Sequence, residues 1–147
     1  MINWLHEEEG YCEGEFKSAF FRNEGNSEDL FVYAANPELS EGAGKCVDAF
    51  NHLSEIEISE ICKGIICYVK ESDRYEGYDL PDLESELDIL NYCWFFSLYV
   101  NMLRDDDEIS YCIEGEGDWG DLIGFVISGG KLIYVGTDYF EFMKEEE

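Results

Sequence analysis

Positive charge is what this chain has least of. Nine Lys and Arg residues stand against 35 Asp and Glu in 147 positions, a formal net charge of −26. A surface built from that balance repels nucleic acid, anionic lipid and acidic proteins, which excludes them as partners, and it speeds encounter with a basic protein. Histidine is scarcer still. Only His6 and His52 could act as histidine bases, whereas a catalytic centre gathers a base with its orienting partners. His6 falls in a terminus expected to fray, and His52 at a helix end, where capping the negative pole is the simpler role. No catalytic residue is assigned, and the chain is not read as an enzyme. No segment reaches the ~18 consecutive apolar residues of a membrane span. Residues 1–9 lack the basic start and apolar run of a secretion signal, which predicts a cytoplasmic protein with no membrane partner. CxxC is also missing among the six cysteines. Cys62, Cys67, Cys93 and Cys112 stand in apolar runs, where reduced cysteine behaves as a small hydrophobe. Cys62 and Cys67 lie about 140° apart around a helix, so they cannot share a metal. Reduced core thiols are expected.

Apolar residues are abundant. The chain is 46% hydrophobic and 16% aromatic, which separates it from disordered acidic tails and puts the charge on the surface of a folded domain. A globule of this mass exposes roughly 7,700 Å², so net negative charges average about one per ~300 Å². The length predicts one α+β domain over 1–147, with frayed acidic ends at 1–9 and 144–147.

Strands are expected at 13–21 and 29–35 around a loop rich in turn formers. A first helix follows Ser40-Glu41, with Cys46, Val47, Phe50 and Leu53 on one face. A second begins at Ser54-Glu55-Ile56-Glu57 and carries the stripe Ile58, Ile61, Cys62, Ile65, Ile66 and Val69. Polar residues and breakers make 70–87 a surface loop. The apolar run 89–103 favours a buried strand by its aromatic and β-branched content, and its length also permits a helix. An acidic turn at 105–108 leads into a strand from Ile109. Residues 121–127 and 131–135 form a hairpin across Ser128-Gly129-Gly130. The order is β-β-α-α-β-β-β-β, an antiparallel sheet of five or six strands with two helices on one face.

Three acidic features invite a chemical reading. Gly115, Gly117 and Gly120 have dinucleotide-site spacing, but Glu114, Glu116, Asp118 and Asp121 surround them and no helix pattern follows, so a pyrophosphate would be repelled. The segments 105–108 and 114–118 lack the register of a calcium loop. No metal and no cofactor is assigned. As a recognition surface the same acids are better placed. If Glu114, Glu116 and Asp118 continue the strand from Ile109, their spacing of two puts them on one sheet face, with the turn Asp105, Asp106, Asp107 and Glu108 one hairpin away. Trp119 beside them would be an interface anchor or a core residue at the strand corner.

The stretch from Glu108 to Gly136 resembles a family of small bacterial domains that end in a strand, an acidic segment with Asp-Trp, a Gly-containing strand, and Gly-Lys before a closing strand with Val-Gly. Here these are Asp118-Trp119, Gly124, Gly130-Lys131 and Val135-Gly136. Where that pattern has Glu-His after the Trp, this chain has Gly120-Asp121, and no histidine role carries over. The chain is similar to acidic immunity proteins of contact-dependent inhibition and polymorphic toxin systems. The resemblance implies a protein that binds and blocks one cognate basic toxin domain, a nuclease being the toxin class its charge suits. An acidic ligand- or cation-binding regulatory module and a metal-dependent hydrolase are the competing classes.

Overall fold

Seven strands line up across one sheet in the order in which the chain makes them. The computed structural model describes residues 2–18, 29–72, 82–103 and 106–144. The strands are β1 (Asn3–Glu8), β2 (Tyr11–Lys17), β3 (Asp29–Ala34), β4 (Cys93–Val100), β5 (Ser110–Gly117), β6 (Leu122–Ser128) and β7 (Lys131–Gly136). Between β3 and β4 come α1 (Ser40–Asn51) and α2 (Glu55–Glu71). Five of the six pairings are antiparallel, and β3 with β4 is parallel. The exception follows from connectivity. Two strands joined through a helical crossover re-enter the sheet in the same direction, whereas short turns reverse the chain.

The α+β class agrees with the sequence pattern, and the strand count and pairing do not. Residues 3–8 are a paired edge strand, not a frayed end. Their charge-rich text gives no alternation to read, and the ladder to β2 holds them instead. At the other end, the Lys144 amide donates to Asn101 Oδ1 at 2.6 Å, which fixes residue 144, while 145–147 lie outside the described residues. The first expected strand sits two residues earlier than its text suggested, at Tyr11–Lys17. Residues 19–21 are not among those described.

Local chemistry explains the helices. Ser54 and Glu57 form a reciprocal capping box, each side chain bonding the other's amide at 3.2 Å, which satisfies two of the amides a helix start leaves open. Ile58, Ile61, Cys62, Ile65 and Val69 are the buried stripe of α2. Cys67 points outward and is exposed, a correction to its placement among core thiols, while the other five cysteines are buried. Ser40 is not the cap of the first helix. A 3-10 turn, Pro37–Leu39, precedes α1, and Asn36 caps that turn by accepting from the Glu38 amide. The expected surface loop is also shorter. Residues 86–92 form a 3-10 helix, capped by Ser85 and Asp88, that buries Ile89 and Leu90 against α2, and the breakers at 73–81 lie outside the described residues. The apolar run is therefore a strand only over Cys93–Val100.

One core lies between the helices and one face of the sheet. Phe16, Leu30, Val32, Leu98, Ile113 and Phe125 rise from successive strands into Phe50 of α1 and Ile61 and Ile65 of α2. The β6–β7 hairpin turns on Gly129 and Gly130, with φ of 60° and 78°, the pair of positive values that a two-residue turn of this hand needs.

Candidate functional site

On the other face of the sheet the strands alternate acids with aromatic rings. The register sets Glu8 of β1 opposite Tyr11 of β2, Glu13 opposite Tyr33 of β3, Glu15 opposite Phe31, and Glu116 of β5 opposite Trp94 of β4. Directly opposed residues sit ~5 Å apart at Cβ, so each of these carboxylates stands beside a ring. The rings also meet one another. His6, Tyr11, Tyr33, Tyr99 and Phe140 form a continuous path with centroid separations of 5.6, 6.1, 5.0 and 4.9 Å. Tyr33 and Tyr99 face each other across the parallel joint, stacked at an interplanar angle of 19°.

Two carboxylates are tied into this path. Glu13 accepts from the Tyr11 hydroxyl at 2.8 Å. Burial, then the charge of Glu13 and a hydrogen bond to it, raise the Tyr33 hydroxyl's pKa, while Ser97 acts in the opposite sense. Glu114 is held at both oxygens, by Tyr99 at 3.2 Å and by Tyr139 at 2.5 Å. Burial first and Glu114 second push both phenols above the ordinary tyrosine range. The phenols therefore stay protonated donors and neutralise nothing. Among the described residues, none of Glu13, Glu15, Glu114 and Glu116 forms an ion pair. Charge this close to π faces favours a cation brought from outside.

The C-terminal segment covers the β6 and β7 side of this face and reaches Tyr99 of β4. A 3-10 helix, Tyr139–Phe142, lays the Tyr139 ring over Gly124 so closely that a side chain at 124 would strike both the ring and the Ile113 carbonyl. Cys112, Val126 and Tyr139 form a small second cluster there. Asn101, buried, staples the segment down by donating to Ser110 Oγ at 2.9 Å and to the Phe142 carbonyl at 3.1 Å while accepting from Lys144. Among the described residues the face is open over β1 to β3 and at the Trp94 end of β4, with Tyr11, Phe31 and Trp94 exposed, while Phe140 packs on Tyr99 farther along β4.

The acids singled out from the sequence are divided by the strand that was to unite them. Glu114 and Glu116 share the open face of β5, as their spacing of two requires. Asp118 does not, because β5 ends at Gly117 and Asp118 enters a turn, its amide donating to the Tyr92 carbonyl. Asp106, Asp107 and Glu108 lie at the opposite end of β5, about 23 Å of strand away. Asp106 has a local task. Its carboxylate accepts from the Leu103 amide at 2.8 Å and pairs with Lys144 at 3.1 Å, and these two contacts, in that order, hold it below the usual carboxylate range. Asp105 lies outside the described residues. Trp119 is half-buried, its ring packed over Gly117 at the margin of the core.

The remaining motifs are accounted for structurally. His52 Nδ1 is 2.7 Å from the Asp48 carbonyl at the end of α1, and His6 Nε2 is 2.9 Å from Glu8 on the exposed edge strand. Gly115 and Gly117 belong to β5, where a Cβ at 115 would lie 2.5 Å from the Trp94 carbonyl, so this spacing serves close packing. Among the described residues no group of three His, Cys, Asp or Glu side chains is arranged to hold a metal, and no helix is long and apolar enough to cross a membrane. Missing from the sequence reading were Tyr33, Tyr99, Tyr139 and Glu13. The polar phase of β2, Tyr11-x-Glu13-x-Glu15, carries a signal in its mixture of ring and acid.

The chain belongs to the family described as Domain of unknown function (DUF6985), which matches residues 1–142. No curated protein and no solved structure matches it.

Proposed function

We propose that this protein binds one basic protein and blocks it by covering it, and that the partner is a toxin domain for which this chain is the immunity protein. The observation that carries the reading is a net charge of −26 on a folded sheet whose acid-and-ring face is open at Tyr11, Phe31 and Trp94. A toxin that cuts nucleic acid must hold phosphates in a positive cleft. A preorganised negative surface can then dock on that cleft or its rim at a rate raised by long-range attraction. Under this reading the protein acts in the cytoplasm with reduced thiols and needs no cofactor. The test is co-expression with the toxin-like domain encoded beside it. Growth should be rescued and a one-to-one complex should elute on sizing. Neither rescue nor complex with any product of the adjacent locus sinks the proposal.

A further inference from the structure

We infer that the open face of the sheet is the contact surface and that it reads arginine, with guanidinium groups of a basic partner segment lying on the rings of β2, β3 and β4 and pairing with the carboxylates opposite them. This rests on the preceding reading that the partner is a basic protein. The occupant follows from the chemistry of the face. Each acid–ring pair offers a π face and a carboxylate within one side chain's reach. A planar guanidinium engages both, stacking on the ring while its edge donates two parallel hydrogen bonds. A lysine ammonium is a point charge that satisfies one or the other. Four strands span roughly 15–20 Å, enough for several side chains of one segment and too broad for a single ion. The negative charge excludes a phosphate-bearing ligand. Glu13 already has its orientation set by the Tyr11 phenol, a donor that contributes no positive charge, so an arriving arginine meets a carboxylate fixed in place. Fixing a partner group beforehand reduces the ordering cost of association.

The experiment titrates the full chain with oligoarginine and oligolysine peptides of equal length at physiological ionic strength, by calorimetry. Oligoarginine should bind at least about fivefold more tightly, the size expected for stacking added to an equal charge. The triple variant Tyr11→Ser, Phe31→Ser, Trp94→Ser keeps every carboxylate and changes only exposed positions. It should retain the circular dichroism of the parent and lose the arginine preference. Equal affinity for the two peptides, or a preference that survives the triple variant, overturns the inference. A second variant, Glu13→Gln with Glu116→Gln, keeps the rings and should weaken both peptides, and unchanged binding there also overturns it. Co-expression separates this surface from the toxin reading. If the parent rescues and the triple variant rescues equally, the surface is wrong and immunity stands. If the parent does not rescue yet the arginine preference is present and ring-dependent, the surface stands and immunity falls.

Discussion

The two faces of this sheet share one backbone and use it in opposite ways. Toward the helices, Leu30, Val32, Leu98, Ile113 and Phe125 are almost wholly removed from water, and the thiols among them behave as hydrocarbon. Burial raises the pKa of Cys46 and Cys62 to about 12. Toward solvent, the alternate residues of β1 to β5 set carboxylates beside aromatic rings, and among the described residues the Tyr139–Phe142 turn covers part of that face. The contrast separates what makes the fold from what the fold presents. A strand is pinned by its apolar phase, so its other phase is free to carry charge at a density that would unfold a less well-packed domain.

The strongest way to probe this contrast is Phe125→Ala. Phe125 is fully buried with its ring edge-on to Phe95 at 5.6 Å, and the cavity should cost about 4 kcal/mol, read as a fall in denaturant midpoint. A loss under about 1 kcal/mol would mean that this face is not the core. Asn101→Ala comes next. Its side chain makes three hydrogen bonds, one to Ser110 and two that hold the C-terminal segment at Phe142 and Lys144, and leaving their partners unmet should cost about 2 kcal/mol. The turn should then loosen, seen as faster amide exchange at Lys144, while the helices remain protected. The gentlest probe leaves the chain unaltered. With the folded pKa of Cys46, Cys62 and Cys112 raised from 9.0 to about 12, the stability from keeping these thiols neutral is fully present below pH 9. It should be lost as pH climbs toward 12, so the melting temperature should fall through that window. At neutral pH a thiol reagent should titrate Cys67 quickly and the other five cysteines only on unfolding. Rapid reaction of a second thiol would show that the covered face opens.

The parts of this fold that were legible in sequence are those fixed by near neighbours. The α2 stripe, the capping box at Ser54 and Glu57, and the glycine pair of the last hairpin each declare themselves within a few residues. β1 could not be read because Asn3–Glu8 is an edge strand exposed at nearly every position, and its charges blunt the open edge instead of marking a buried phase. β4 is screened on both faces over much of its length, which yields an unbroken apolar run with no period to distinguish strand from helix. The candidate site follows the same rule. The spacing of Glu114 and Glu116 was sufficient to place both on one face, whereas Tyr33 and Tyr99 stack only because a parallel pairing brings them together. Asp118 was misplaced for a local reason, since the turn required by Gly120, at φ 88°, begins before it.

That single parallel joint has a kinetic meaning. Every other pairing links strands with at most 11 positions between them (18–28, from Lys17 to Asp29), but Phe31 must find Ser97, a separation of 66 positions (97 minus 31). Closing so long a segment costs about 4 kcal/mol of chain entropy, and the cost falls before the contacts that repay it exist. The pairings on either side of this joint are local in the chain, while the seam needs α1 and α2 to shorten the span. Tyr33 sits on one side of that seam and Tyr99 on the other. The ring path is thus divided until the slowest pairing is made, and a nascent or partly folded chain would offer a partner two half-surfaces in place of one.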